Sequence, residues 1–132
     1  MDEVIDTILD AAKSIAVVGL SDKPERPSHV VARFLQERGY RIIPVNPAVR
    51  EVLGEKPYRS LAEIPGGVDL VDVFRKSEHV PGIAEEAIRI GAKYFWMQEG
   101  VRNERAREML DAAGIPVVMD RCLMRELGKR GR

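Results

Sequence analysis

The sequence lacks several features that would place it in a specialised class of protein. Cys122 is its one cysteine, so no internal disulfide can form, and we expect a reducing, cytoplasmic compartment. Lys plus Arg and Asp plus Glu number 21 each, which argues against a nucleic-acid or membrane-surface binder. No apolar run approaches the roughly 18 residues that a membrane span needs, and the acidic, amphipathic start is unlike a signal peptide.

What is present is the composition of one globular domain. Hydrophobic residues make up 45% of the 132 residues and charged residues 32%. Asn and Gln occur only twice each among the many charges, a composition that is typical of thermostable proteins. We predict a single domain over residues 1–132, which opens with a helix over 1–13 and ends in a frayed tail over 128–132.

One pattern occurs three times: an amphipathic helix, then a glycine, then a short β-branched strand. The three helix–strand pairs are 28–38 with 40–43, a helix around 83–88 with 93–96, and 103–113 with 116–118. Two further apolar strands are predicted over 14–18 and 68–74. This alternation predicts an α/β fold: a single Rossmann-like, doubly wound, mainly parallel sheet of five or six strands with helices on both faces.

Two segments fit this pattern less well. Residues 49–65 are irregular, with a short edge strand predicted near 57–59. Pro44 cannot donate to a central ladder, so we interpret it as the ragged end of its strand. Trp96 lies on an apolar strand and is expected in the core.

Ligands of such sheets bind beyond the carboxyl ends of the strands, which directs attention to the loop after the first strand. Gly19 permits a sharp turn there, and Ser28 is a natural N-cap whose helix would point free N–H groups into the crevice. Ser21 can donate a hydroxyl hydrogen bond, and Arg26 can form a bidentate pair with a phosphate. The loop therefore suits a pyrophosphate, although an ordinary capped loop explains the same residues equally well.

The loops after the later strands add further polar groups. Phe74 offers an aromatic surface and is followed by the cations Arg75 and Lys76, which we expect to lie across the crevice from Arg26. Gln98 follows the next strand and can donate and accept hydrogen bonds. Solvated loop side chains are the plainer explanation in each case.

Two nucleotide-binding motifs are missing. Of the usual G-x-G-x-x-G only Gly19 is present, and Asn46 stands near the position of the acidic residue that would hold a ribose 2′-hydroxyl. NAD is thereby disfavoured, whereas a phosphorylated ribose is allowed. The absence of G-x-x-x-x-G-K-[ST] disfavours nucleotide hydrolysis.

Four segments together resemble the CoA-binding domain family, the Rossmann domain that also occurs at the N-terminus of the succinyl-CoA synthetase α subunit. The matching segments are 17–21 with 26–28, 39–47, 69–75 and 98–100. The resemblance covers residues 14–126, nearly the whole chain, and is strongest to small members of the family that consist of this domain.

The resemblance implies coenzyme A as the ligand and assigns residues on four successive loops. These residues are Gly19, Leu20, Ser21, Arg26 and Ser28; Asn46 and Pro47; Phe74, Arg75 and Lys76; and Gln98 and Glu99. The first group would lie against the CoA phosphates, and the second would border the 3′-phospho-ADP. The third group would line the other side of the 3′-phospho-ADP, and the fourth would guide the pantetheine arm. Gln98 stands where the synthetase has Thr.

We therefore expect a binding protein for CoA or acyl-CoA that is not catalytic by itself. The phosphorylated histidine of the synthetase lies in a second domain that is not expected here. His29 and His79 are expected at helix starts, as surface or helix-end residues rather than general bases. The alternatives are a CoA-binding ligase subunit that needs a partner chain and an NAD(H)-sensing module. A homodimer is also open, and Cys122 is either an inert buried residue or a thiol that forms a mixed disulfide with CoA.

Overall fold

Five helices and five strands follow one another along the 132 residues, all of which the computed structural model describes. The helices are α1 Asp2–Ala11, α2 Pro27–Glu37, α3 Val80–Arg89, α4 Glu104–Ala112 and α5 Leu123–Lys129. The strands are β1 Ser14–Val18, β2 Arg41–Val45, β3 Leu70–Val73, β4 Tyr94–Met97 and β5 Val117–Val118. Short 3₁₀ helices, Leu61–Glu63 and Ser77–His79, precede β3 and α3 respectively.

All five strands are parallel and lie in the order β2-β1-β3-β4-β5, which confirms the predicted doubly wound sheet. Ile15 of β1 pairs with Ile42 of β2 on one side and with Leu70 of β3 on the other. Strand order therefore reverses at β1, with β2 on one side and β3 on the other. The short edge strand expected near 57–59 is a single bridge between Tyr58 and Val45.

The sheet separates two hydrophobic cores, one on each face. Helices α1, α2 and α5 cover the face that carries Trp96, and α3 and α4 cover the face that carries Phe95; both side chains are fully buried. Burial on both faces explains why the strands read as continuous apolar runs. No helix has the length and apolar character that a membrane-spanning helix requires.

Pro44 corrects one prediction, because it lies inside β2 rather than beyond its end. Its carbonyl oxygen accepts the N–H of Tyr58 at 2.9 Å, on the side of β2 that faces away from β1. The N and O atoms of one strand residue point the same way, so the missing N–H also faces outward. Pro44 therefore costs the β1–β2 ladder nothing, as is usual for proline on edge strands.

Residues 128–132, for which a frayed tail is expected, have regular structure and side-chain contacts. Gly128 and Lys129 complete α5, and the Arg130 side chain pairs with the buried Glu126 at 3.0 Å and with Asp6 of α1. Burial alone would raise the pKa of the Glu126 carboxyl, but hydrogen bonds from Arg130 and Lys129 outweigh it and lower that pKa. The carboxyl terminus is thus fastened to α1.

Asp72 is the exceptional residue of the core. It lies in the middle of β3, between Val17 and Trp96 in the register, and its side chain is completely buried. Neither carboxylate oxygen has a hydrogen-bond partner. Burial without a partner raises the pKa of this carboxyl well above its ordinary value, so the folded protein favours the protonated form.

We expect Asp72→Asn to stabilise the protein increasingly as the pH rises. The unfolded chain releases the Asp72 proton near a pKa of about 3.9, whereas the folded chain retains it, so the wild type loses stability as pH rises towards the folded-state pKa. The gain in free energy of unfolding on substitution should grow above about pH 4 by up to roughly 1.4 kcal/mol per pH unit. Urea unfolding of both proteins between pH 4 and 8 measures it.

Asp69→Asn is the matched control, with the opposite sign. Burial would raise the pKa of the Asp69 carboxyl, but N–H bonds from Lys13 and Ser14, together with Lys93, outweigh it and lower that pKa. Its contribution to stability is present above the unfolded-state pKa and is lost as the pH falls through the folded-state pKa, so this variant should be less stable at neutral pH. A pH-independent difference between Asp72→Asn and wild type would contradict the account of Asp72.

Candidate binding site

The candidate site lies at the carboxyl edge of the sheet, where the loops that follow β1, β2, β3 and β4 meet. The chain leaves β1 towards α2 on one face of the sheet and leaves β3 towards α3 on the other face. Diverging connections open a crevice at the point where strand order reverses, and ligands of doubly wound sheets bind in such crevices.

Gly19 is the point of closest approach in this crevice. Its φ is +89°, and a Cβ atom placed on it would lie 2.6 Å from the carbonyl oxygen of Phe74. The backbone is fixed there by two hydrogen bonds of 2.9 Å, from the N–H of Gly19 to Val45 and from the N–H of Phe74 to Val18. Only glycine fits this position without displacing the end of β3.

The loop after β1 is closed by Ser28, although not in the way that was predicted. Helix α2 begins at Pro27, and Arg26 occupies the N-cap position without a side-chain cap, so the prediction that Ser28 is the N-cap is wrong. The Ser28 hydroxyl lies inside the first turn and accepts the N–H of Ser21 at 3.0 Å. His29 lies at the predicted helix start, in the first turn of α2, and is buried, with Nδ1 2.9 Å from the carbonyl oxygen of Ser21.

Asn46 ties the loops after β1 and β2 together. Its Nδ2 donates to the carbonyl oxygen of Leu20 at 3.0 Å, and its Oδ1 accepts the N–H of Ala48 at 2.9 Å. The Leu20 side chain is fully buried, so only its backbone can meet a ligand. Asn46 therefore holds the loop conformations, and both ends of its amide are already in use.

The first hollow, of about 500 Å³, lies between the loops after β1 and β2. Its lining includes six of the twelve residues singled out from the sequence: Gly19, Ser21, Arg26, Ser28, Asn46 and Phe74. Lys23 and Arg26 supply positive charge, and neither belongs to an ion pair. Asp22 is the one carboxylate in the lining. The first hollow thus combines an uncapped helix N-terminus with two unpaired cations.

The second hollow, of about 380 Å³, lies between α2 and the start of α5. Its lining residues are Pro27, Val31, Phe74, Arg75, Gln98, Glu99, Val101 and Cys122. Gln98 is buried and accepts the N–H of Leu123 on Oε1 at 3.0 Å, which leaves its amide nitrogen for other partners. The Glu99 carboxylate pairs with Arg125 at 3.0 Å. Cys122 is buried, 7% exposed, as the plainer of its two interpretations predicts.

The third hollow, of about 180 Å³, lies on the α3 side of the same edge. Its polar lining consists of Arg59, Ser60, Arg75, His79 and Glu86, and Pro47 also lines it. Sequence reasoning did not find Arg59 or Ser60, because they belong to the irregular stretch before β3. The one available signal was the short strand predicted next to them.

A family model described as the CoA binding domain matches residues 13–128 of this sequence. The chain belongs to the CoA binding domain family. The resemblance inferred from the four loop segments is thereby confirmed.

Known proteins of similar sequence include YneT of Bacillus subtilis, which is described as uncharacterized. It is 52% identical over 119 residues, which cover 90% of this chain and 88% of YneT. The alpha subunit of acetate–CoA ligase [ADP-forming] II from Pyrococcus furiosus is 44% identical over 124 residues, but the match covers 84% of this chain and only 27% of that subunit. A hypothetical protein from Pyrococcus horikoshii OT3 superimposes with a TM-score of 0.94 at 43% identity, covering 98% of this chain and 91% of that one.

The structure divides the predicted residues among the three hollows of this family member. Arg26 lines the first hollow, Arg75 lines the second and third, and Pro47 lines the third. Lys76 is exposed and lines none of the three. The two cations after β3 therefore do not share one hollow with Arg26, contrary to the simple picture of a single crevice.

Gly19→Ala should destabilise the protein by more than Gly39→Ala. Both glycines have positive φ, +89° and +93°, which costs an alanine about 1–2 kcal/mol. A Cβ atom at Gly39 meets nothing within 4 Å, whereas one at Gly19 overlaps the carbonyl oxygen of Phe74. Chemical denaturation of both variants measures the difference, and equal losses would show that the contact at Gly19 is relaxed without cost.

Proposed function

We propose that the protein binds coenzyme A along the carboxyl edge of its sheet. The observation that carries the proposal is the first hollow, where Lys23 and Arg26 lie without ion-pair partners beside the uncapped N-terminus of α2. Backbone N–H groups, a helix dipole and a guanidinium are the groups that recognise a pyrophosphate. The close approach at Gly19 lets the backbone come near such a ligand.

Each predicted loop has a place in this proposal. The CoA phosphates lie in the first hollow against Gly19, Ser21 and Arg26, and Phe74 contacts the adenosine. The pantetheine arm follows the second hollow, where the free amide nitrogen of Gln98 can donate to one of its amide carbonyl oxygens. The arm then runs over apolar lining that includes Val31.

The relatives support CoA in particular, because the Pyrococcus furiosus protein is by name an acetate–CoA ligase subunit. A second candidate follows from that likeness: this chain acts as the CoA-binding part of a ligase whose other parts lie on a partner chain. Stable co-purification with a second chain would favour it. The NAD(H)-sensing alternative is less well supported, because Asn46 has no carboxylate for a ribose and both ends of its amide are engaged.

Cys122 lies in the lining of the second hollow, where the proposal places the arm that carries the CoA thiol. The alternative in which Cys122 forms a mixed disulfide needs an oxidised partner: attack of the Cys122 thiolate on CoA disulfide forms the mixed disulfide and releases one CoA as its thiol. Mass spectrometry of the protein and of Cys122→Ser after incubation with CoA disulfide tests it by the presence or absence of an adduct.

Isothermal titration with CoA, NAD⁺ and ATP in parallel tests the proposed function directly. We expect CoA to bind with one-to-one stoichiometry and the other two ligands to bind weakly or not at all. Binding of NAD⁺ without binding of CoA would overturn the proposal and favour the NAD(H)-sensing alternative.

Arg26→Ala should weaken CoA binding about 10- to 100-fold, because a charge-assisted hydrogen bond contributes roughly 1.5–3 kcal/mol. The substitution should leave folding unchanged, since the Arg26 side chain caps nothing and joins no ion pair. Arg33→Ala is the matched control: Arg33 is an exposed residue of the same helix and lines none of the three hollows. Equal affinities for Arg26→Ala and the control would remove Arg26 from the site.

A further inference from the structure

The third hollow has its own lining, and none of its lining residues also lines the first hollow. Its floor is apolar, formed by Val18, Val45, Leu61 and Ile83, and its rim carries Arg59, Ser60, Arg75 and His79. A small pocket with an apolar floor and a cationic rim suits a phosphate monoester attached to a sugar or a ring.

Two connections, β2–β3 and β3–α3, bring the cationic rim together. Arg59 follows Tyr58, whose backbone N–H and carbonyl groups bond to Pro44 and Asn46 at 2.9 Å each and so hold this segment along the end of β2. Arg75 follows β3 directly, and His79 occupies the N-cap position of α3 without capping it by its side chain. The N–H of Val80 bonds to the carbonyl oxygen of Ser77 in the preceding 3₁₀ turn, and Pro81 has no N–H, so these two positions of α3 offer no backbone donor.

The charges of this rim are not neutralised within the protein. Neither Arg59 nor Arg75 belongs to any of its ion pairs. Two carboxylates lie near the rim: Glu86, in the lining, accepts the N–H of Leu61 at 3.0 Å, and Glu63, outside the lining, accepts the backbone N–H of Arg59 at 3.2 Å. Two guanidinium groups therefore face the hollow against one carboxylate, that of Glu86, which leaves a net positive site.

The first and third hollows also share a rim. At three places, one residue lines the first hollow and its neighbour in the chain lines the third. These pairs, with the residue of the first hollow given first, are Gly19 and Val18, Asn46 and Pro47, and Phe74 and Arg75. One ligand that lies across this rim can place an anionic group in each hollow. A nucleotide phosphorylated at both its 5′ and 3′ positions carries two such groups on one ribose.

We propose that the third hollow binds a phosphate monoester, and that this group is the 3′-phosphate of CoA. Arg59 is its principal ligand, with Ser60 and His79 as further hydrogen-bond donors. The assignment rests on the proposed function, since it divides one CoA molecule between two hollows. It makes Arg59, which lies outside every loop segment of the family resemblance, the residue that distinguishes CoA from dephospho-CoA.

Titrations with CoA and with dephospho-CoA test this assignment. We expect the wild type to bind CoA at least about tenfold more tightly than dephospho-CoA, the scale of one charge-assisted hydrogen bond. Arg59→Gln should weaken CoA binding by about that factor and leave dephospho-CoA binding unchanged, so that the two affinities become nearly equal. His79→Asn, on a different connection, should reduce the preference in the same direction and serves if Arg59→Gln does not fold.

Arg50→Gln is the matched control, because Arg50 is an exposed, unpaired arginine of the same β2–β3 connection that lines none of the three hollows. It should keep the full preference for CoA. Equal affinity of the wild type for the two ligands, or an equal loss for both in Arg59→Gln, would overturn the assignment while leaving CoA binding in place. Failure of both ligands to bind would overturn the proposed function and this assignment with it.

Discussion

The close approach of β1 and β3 at Gly19 is the constraint on which the carboxyl edge depends. The N–H of Phe74 bonds to Val18, and the N–H of Gly19 bonds to Val45, so the ends of three strands are locked at one point. From that point the chain diverges to opposite faces of the sheet, towards α2 and α3. The first and third hollows lie on either side of this contact. A side chain at Gly19 would push the end of β1 away from the carbonyl group of Phe74.

Positive charge is distributed unevenly over a chain whose net charge is zero. The cations of α5 and the tail are neutralised locally: Arg130 pairs with Glu126 and Asp6, and Arg132 pairs with Asp10. The arginines around the hollows have no such partners. Isolated exposed cations contribute little to stability, so replacing the arginines of the hollows should cost little in folding.

Two buried carboxyl groups show how neighbours decide the state of an acid. Glu126 and Asp72 are both inaccessible to solvent, at 3% and 0% exposure. Glu126 has Arg130 and Lys129 beside it, and its pKa is lowered; Asp72 has no partner, and its pKa is raised. Asp72 lies in β3, two residues before Phe74 of the candidate site. The free-energy cost of burying its unpaired carboxyl therefore arises close to that site.

The sequence by itself determined the elements and the class of fold. Apolar periodicity and the glycines that end the helices are local signals, and they placed β1 at residues 14–18 and the other four strands and first four helices within a few residues of their positions. Helix α5 was not predicted from these signals. The resemblance of four loop segments was enough to find the family, since those segments follow the strands in a fixed order.

Only the tertiary structure decided which side chains share a site. Pro44 is harmless because its N atom faces away from β1, and Ser28 serves as an acceptor for Ser21 rather than as a helix cap. Arg59 reaches the carboxyl edge through the bridge at Tyr58, a pairing that no local pattern encodes. Strand order and the face that each connection takes determine which loops converge, and both depend on contacts between residues far apart in the chain.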